Sequence, residues 1–221
     1  RLLVPEMFGI MALTQVFLYI VTLISDIGIK PSIIRSRRGE DSDFLNTAWT
    51  LQVLRGCLIT FGVLLIALLI KFGISNGFFS ADSAYNSSEL PIVIAVMSFT
   101  SVISGFNSTN IVLANRKLLV GRITLFGLVG QSCGIILMIV WARIEPSIWP
   151  LVGGQFLSAL IFCILSHVAF PGSPNRFRME TDAFWEIFHF GKWLLLSSCI
   201  TAFVAQADRL ILGDLLSAKM L

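Results

Sequence analysis

Apolar residues gather in long runs near 8–29, 47–70, 91–113, 119–141, 148–170 and 191–212, separated by short polar gaps. A helix needs about 20 mostly apolar residues to cross a bilayer, and each run reaches that length. The pattern predicts six transmembrane helices and an all-α polytopic membrane protein.

The gaps carry a second pattern. Lys30, Arg35, Arg37 and Arg38 follow the first run, Arg116, Lys117 and Arg122 lie around the gap after the third, and Arg176, Arg178 and Lys192 follow the fifth. The alternate gaps hold only Lys71 and Arg143, and the chain ends only Arg1 and Lys219. Short loops rich in Lys and Arg stay cytoplasmic, so the alternation agrees with every crossing. A multi-pass protein of the bacterial inner (cytoplasmic) membrane is expected.

Composition sharpens this picture. Charged residues make up 13% of the chain, against about 25% in soluble domains. The net charge of +3 sits in the basic loops, so it reports topology and gives no reason to expect nucleic acid as a partner. Cys57, Cys133, Cys163 and Cys199 all lie inside apolar runs without a CxxC pair, and read as small reduced core residues. His167 and His189 have no acidic or thiol partner at ligand spacing, so no metal site is expected.

The chain opens without Met, and Leu2-Leu3-Val4-Pro5-Glu6-Met7 resembles Leu215-Leu216-Ser217-Ala218-Lys219-Met220. Six spans separate the two stretches, and an even number restores orientation. They would be equivalent points of two parallel repeats, a known transporter architecture. On that reading one helix precedes Arg1 and most of a second half follows Leu221.

Three segments carry a family resemblance. Leu2-Leu3-x-Pro5-Glu6-x-Phe8-Gly9, Asp26-Ile27-Gly28 and Asp43-Phe44-Leu45-Asn46-Thr47-Ala48-Trp49 resemble the polysaccharide (O-antigen type, Wzx-like) flippases, of the superfamily that also holds MATE antiporters and lipid II flippases. Gly191-Lys192-Trp193 followed by Gln206-Ala207-Asp208-Arg209-Leu210-Ile211-Leu212-Gly213 looks like that family's seventh helix. The resemblance implies a two-lobed bundle of twelve to fourteen helices around a cavity open alternately to each side. This chain would supply helices two to seven: 1–170 for the N-terminal lobe, 171–190 for a cytoplasmic interfacial linker, and 191–221 for the start of the second lobe. A lipid-linked oligosaccharide would be the substrate, membrane lipids the surroundings, and a polysaccharide polymerase and chain-length proteins possible partners.

The residues can be read independently of that resemblance. Moving a glycan on a polyprenyl diphosphate needs a wet route for sugar and a cationic place for phosphate. Gln15, Tyr19, Thr22 and Asp26 share one face of the first span. Ser101, Ser104 and Ser108 share a face of the third, with Asn107 and Asn110 nearby. The last span offers Ser198, Thr201, Ala205 and Asp208. Such polar residues either line a cavity or glue helices together.

Charges inside spans are sharper signals, since one costs about 2.5–3.5 kcal/mol at mid-bilayer on insertion scales. Arg55 lies a third of the way into the second span, one turn after Gln52. It reads either as a phosphate or glycan contact or as an ion-pair partner of Asp26. Substrate contacts are therefore expected at Arg55, Gln52, Arg122, Asn107, Asn110 and Gln15. Arg116, Lys117 and Arg122 also read as topology or headgroup residues. Asp26 is the first candidate for ion coupling and Asp208 the second, with helix termination the competing role for Asp26.

Other matches carry no chemistry. Gly73-Ile74-Ser75-Asn76-Gly77 has the G-x-S-x-G spacing but follows a membrane span, where a nucleophile elbow needs a strand. Gly130-x-x-x-Gly134 reads as a helix-packing face. Asn86-Ser87-Ser88 matches a glycosylation sequon, which has no meaning outside a eukaryotic secretory route. No Walker loop, dinucleotide fingerprint or HExxH occurs, so no cofactor is expected and the chain does not read as an enzyme. Asp43 or Ser42 could cap the second span, and Phe184-Trp185-x-x-Phe188-x-Phe190 suggests an interfacial helix. A MATE-like cation-coupled multidrug antiporter is the alternative function. Its cavity would need acidic and aromatic groups without an unpaired Arg, so Arg55 counts against it. A membrane glycosyltransferase lacks a catalytic loop here.

Overall fold

The computed structural model describes residues 4–78, 87–170, 172 and 174–197. Every regular element among them is helical. In chain order these are α1 (Pro5–Ile24), α2 (Ile29–Arg35), α3 (Ser42–Ser75), α4 (Leu90–Gly105), α5 (Asn110–Arg116), α6 (Val120–Ile144) and α7 (Trp149–Val168). An eighth helix, α8, is described over 181–197.

Local chemistry sets these boundaries. Pro5, Pro91 and Pro150 stand in the first turns of α1, α4 and α7, where a missing N–H costs nothing. The α1 helix ends where Asp26 Oδ1 accepts the Gly28 N–H at 3.1 Å. Gly28 then takes a left-handed φ of 63°, which turns the chain into α2. The cap of α3 is Asp41, not Asp43 or Ser42 as the sequence suggested; its carboxylate accepts the Asp43 N–H. Asp43 is free to pair elsewhere.

Among the described residues four helices, α1, α3, α6 and α7, are long and apolar enough to cross a membrane, and the α4–α5 pair makes a fifth span if taken together. The expected third span, 91–113, is thus not one continuous helix. It breaks between Gly105 and Asn110, with a bend of 65°. The first run also stops short, at Ile24, because the Asp26–Gly28 turn interrupts it. The sixth run lies largely outside the described residues, as do Asp208 and Ser198. The expected interfacial helix has no break at 190: α8 runs on through Gly191 to 197. Gly191 packs so tightly on the Ile27 carbonyl that a Cβ would collide with it.

At about 1.5 Å per residue the 34-residue α3 is roughly 51 Å long, well beyond the roughly 30 Å hydrocarbon core. It organises two apolar cores. Its C-terminal half packs Ile59, Val63, Ala67 and Ile70 against α1, α4 and α7. Its first turns pack Phe44, Leu45, Ala48 and Leu51 against Ile29 and Ile33 of α2, Val112 of α5 and Ala183 and Ile187 of α8. Thr60 stitches α3 to α4 by donating to the Ser98 carbonyl at 2.9 Å.

The α6–α7 pair crosses at glycines. A Cβ at Gly134 would strike the Gly154 carbonyl, and one at Gly130 would lie 3.0 Å from the Ser158 carbonyl. The small-residue face expected at Gly130 and Gly134 is this crossing. Only 11% of the apolar window of α6 is buried, so most of its surface is exposed and apolar. Cys57 is exposed as well, and belongs to that outer surface rather than to the core where the sequence placed it.

Candidate functional site

A cavity of about 580 Å³ lies among α1, α3, α4 and α5, at the end of the bundle that carries the basic loops. Gln15, Tyr19 and Thr22 line it from α1, Gln52 and Arg55 from α3, and Thr100, Ser101 and Ser104 from α4. The polar stripes of the first and third runs thus meet on one void. A residue not expected there, Lys30 of α2, adds a second cation to the wall. Its position after the Gly28 turn, outside any apolar run, gave no sign of that placement.

Arg55 stands about 20 Å along α3 from its start. Its guanidinium is largely covered, with 20% of the side chain exposed. It donates to the Thr22 carbonyl at 2.9 Å and stands 3.4 Å from both Ser25 Oγ and Asp26 Oδ1. Asp26 shares that same oxygen with the Gly28 N–H. Arg55 forms the ion pair with Asp26 that was weighed for it, tying the end of α1 to α3, and it also lines the cavity. Asp26 likewise both terminates a helix and holds the arginine.

The break in the third span forms part of the cavity wall through Asn107 and Ser108. Irregular backbone at membrane depth survives only where its polar groups are satisfied or wet. Side chains from three elements do this here. Gln52 Nε2 donates to the carbonyls of Gly105 at 2.9 Å and Asn107 at 3.0 Å. Trp49 Nε1 and His167 Nε2 both reach the Phe106 carbonyl, at 3.4 and 2.8 Å. Ser166 Oγ accepts the Ser108 N–H at 2.9 Å. Asn175 closes the set, accepting from Ser108 Oγ at 2.8 Å and donating to Thr109 Oγ1 at 2.6 Å. Gln52 therefore spends its amide N–H groups on backbone, which leaves its carbonyl oxygen for other contacts. Asn107 Oδ1 is buried with no hydrogen-bond partner among the described residues.

Beyond Asn175 the chain is extended and strapped along the first turns of α3. Alternate N–H groups of an extended segment point the same way. Those of Arg176, Arg178 and Glu180 donate to Asn46 Oδ1, Thr50 Oγ1 and Thr47 Oγ1 at 2.8, 3.1 and 2.9 Å. Arg178 pairs with Asp43, and Arg38 bridges Asp41 and Glu180. The hydrogen bond from Arg38, helped by the Asp43 N–H, holds the Asp41 carboxyl below the usual carboxylate range.

The remaining expected residues fall outside the cavity wall. Asn110 is buried at the start of α5, beside Gly172. Arg122 is exposed in the first turn of α6, where its neighbour Ile123 reaches the wall instead. Arg116 donates to the carbonyls of Ile33 and Ser36, which fixes the end of α2. Asp208 lies outside the described residues. Among the described residues no group of three His, Cys, Asp or Glu could hold a metal ion.

Searches of curated proteins and of solved structures return no match. A family match, by contrast, spans residues 1–221, so this membrane-embedded helical chain belongs to the polysaccharide biosynthesis protein family.

Proposed function

We propose that the chain is part of a flippase. It moves a polyprenyl-diphosphate-linked oligosaccharide from the cytoplasmic to the periplasmic face of a bacterial inner membrane, for O-antigen, capsule or exopolysaccharide assembly. The observation that carries this reading is the cavity of about 580 Å³ among helices apolar enough to cross a membrane, with polar side chains of α1, α3 and α4 and the cations Arg55 and Lys30 on its wall. Sugar hydroxyls match the amide and hydroxyl groups of Gln15, Gln52, Thr100 and Ser101 in its lining. A guanidinium suits phosphate because its planar fork grips two oxygens. Transport proceeds by alternating access, with no bond made or broken. A polymerase and a chain-length regulator are the natural consumers of the delivered glycan.

The test is flipping by the full-length protein in proteoliposomes. A fluorescent lipid-linked oligosaccharide in the inner leaflet should become accessible to an added glycosidase. Arg55→Ala should abolish this while still inserting, and Arg55→Lys should restore part of it. Normal flipping by Arg55→Ala overturns the assignment. Transport of a cationic dye but not of the glycan would instead favour the MATE-like antiporter.

A further inference from the structure

A second cavity, of about 260 Å³, opens between the end of α2 and the flank of α8. Ser32, Arg35, Ser36, Arg37, Glu186 and Phe190 line it. We propose that this cleft binds the phosphate of an anionic phospholipid whose tails lie along the outer face of α8.

Two faces of α8 support the placement. Ala183, Ile187 and Gly191 are buried against the bundle. Trp185, Phe188, Trp193 and Leu196 are exposed on the opposite face, and Lys192 lies over the Trp193 ring at 5.7 Å. Exposed Trp beside Lys is the signature of the headgroup level of a bilayer. Glu186 and Phe190 lie on the flank between those faces, so the cleft opens where a headgroup would sit.

Charge selects the occupant. The neighbouring cations are already engaged: Arg38 on Asp41 and Glu180, Arg116 on two carbonyls, Arg178 on Asp43. Arg35 and Arg37 have no carboxylate partner among the described residues. Arg35 is held over the Phe190 ring, 5.3 Å from its centroid, which orients it without neutralising it. The one acid of the cleft, Glu186, accepts a 2.6 Å hydrogen bond from Ser36 Oγ. Two guanidinium groups against one carboxylate leave the cleft cationic at the membrane surface, where basic pockets between helices take anionic headgroups. This site stands apart from the transport cavity and does not depend on its assignment.

The experiment uses the full-length protein in nanodiscs with chain-brominated lipids, which quench nearby tryptophan fluorescence. Subtracting the Trp185→Phe/Trp193→Phe protein isolates the signal from α8. Brominated phosphatidylglycerol should quench at a lower mole fraction than brominated phosphatidylcholine. Arg35→Gln and Arg37→Gln should each reduce that preference by about fivefold, the worth of one basic residue near an anionic surface. The Arg35→Lys/Arg37→Lys protein should retain it, which separates lost charge from lost folding. Excess inorganic phosphate should leave the preference in place. Equal quenching by the two lipids, a preference that survives Arg35→Gln/Arg37→Gln, or its loss to free phosphate would each overturn the proposal.

Discussion

The Arg55 guanidinium stands 3.4 Å from the Asp26 carboxylate, across the gap between the middle of one helix and the end of another. Neither charge is buried alone, and Arg55 also borders the cavity. A phosphate arriving at Arg55 would compete directly with Asp26 for the same cation. Binding would then leave the carboxylate without its cation, the step at which an exchanged ion would couple to flipping.

That competition makes Asp26→Asn informative. The amide can still accept from Gly28 N–H, so the turn should persist. Substrate binding should remain and the dependence of flipping on a proton or sodium gradient should vanish in proteoliposomes. Unchanged gradient dependence would leave Asp26 as a helix-end residue only.

Gln52→Leu removes the donors for the Gly105 and Asn107 carbonyls. Each buried polar group left unsatisfied costs about 1–3 kcal/mol. Thermal unfolding in detergent should shift downward by several degrees, and amide exchange should rise across 105–110. Gln52→Glu should behave similarly at neutral pH, because a carboxylate cannot donate to a carbonyl. Wild-type exchange in either variant would mean the break is held by the other side chains.

Gly134→Leu should force α6 from α7, since even a Cβ there meets the Gly154 backbone. A loss of about 1–3 kcal/mol or more is expected, read as earlier thermal aggregation. Gly127→Ala, on the same helix with nothing within 4 Å of its Cβ, should be close to neutral.

The strap carries the pH dependence. Because Asp41 in the folded chain titrates below its ordinary value, its contribution is complete above about pH 3.9 and fades as pH falls through the lower folded value. Acid should therefore loosen the Arg38–Asp41–Glu180 cluster, detected as faster amide exchange at the start of α3. In Asp41→Asn that acid-dependent part should be absent, and in Arg38→Gln it should begin at higher pH.

Long apolar runs and alternating basic loops made the bundle legible in the sequence, because lipid imposes length and charge rules that neighbouring helices do not alter. The cavity stripe of Gln15, Tyr19 and Thr22 was legible for the same reason: helical period alone puts those residues on one face. The break at 106–109 was not. Phe106-Asn107-Ser108-Thr109 contains no proline, and its stabilising partners Trp49, Ser166, His167 and Asn175 are distant in sequence. The strap was hidden similarly, since Asn46, Thr47 and Thr50 read as helix-start polar residues until an extended segment lies across them. That Arg116 also fixes the end of α2 was not legible, because sequence does not reveal which carbonyls a guanidinium will find.

The broken span also bears on how the protein is made. Chains enter the membrane in the order they are synthesised, N-terminal segments first. Of the side chains that tie the break, only Trp49 and Gln52 exist when residues 90–116 emerge; Ser166, His167 and Asn175 come later. A continuous helix satisfies its own backbone in lipid, whereas the bent form needs those latecomers. The segment would thus insert straight and bend once α7 and the strap arrive, leaving the cavity wall to be shaped by residues made after it.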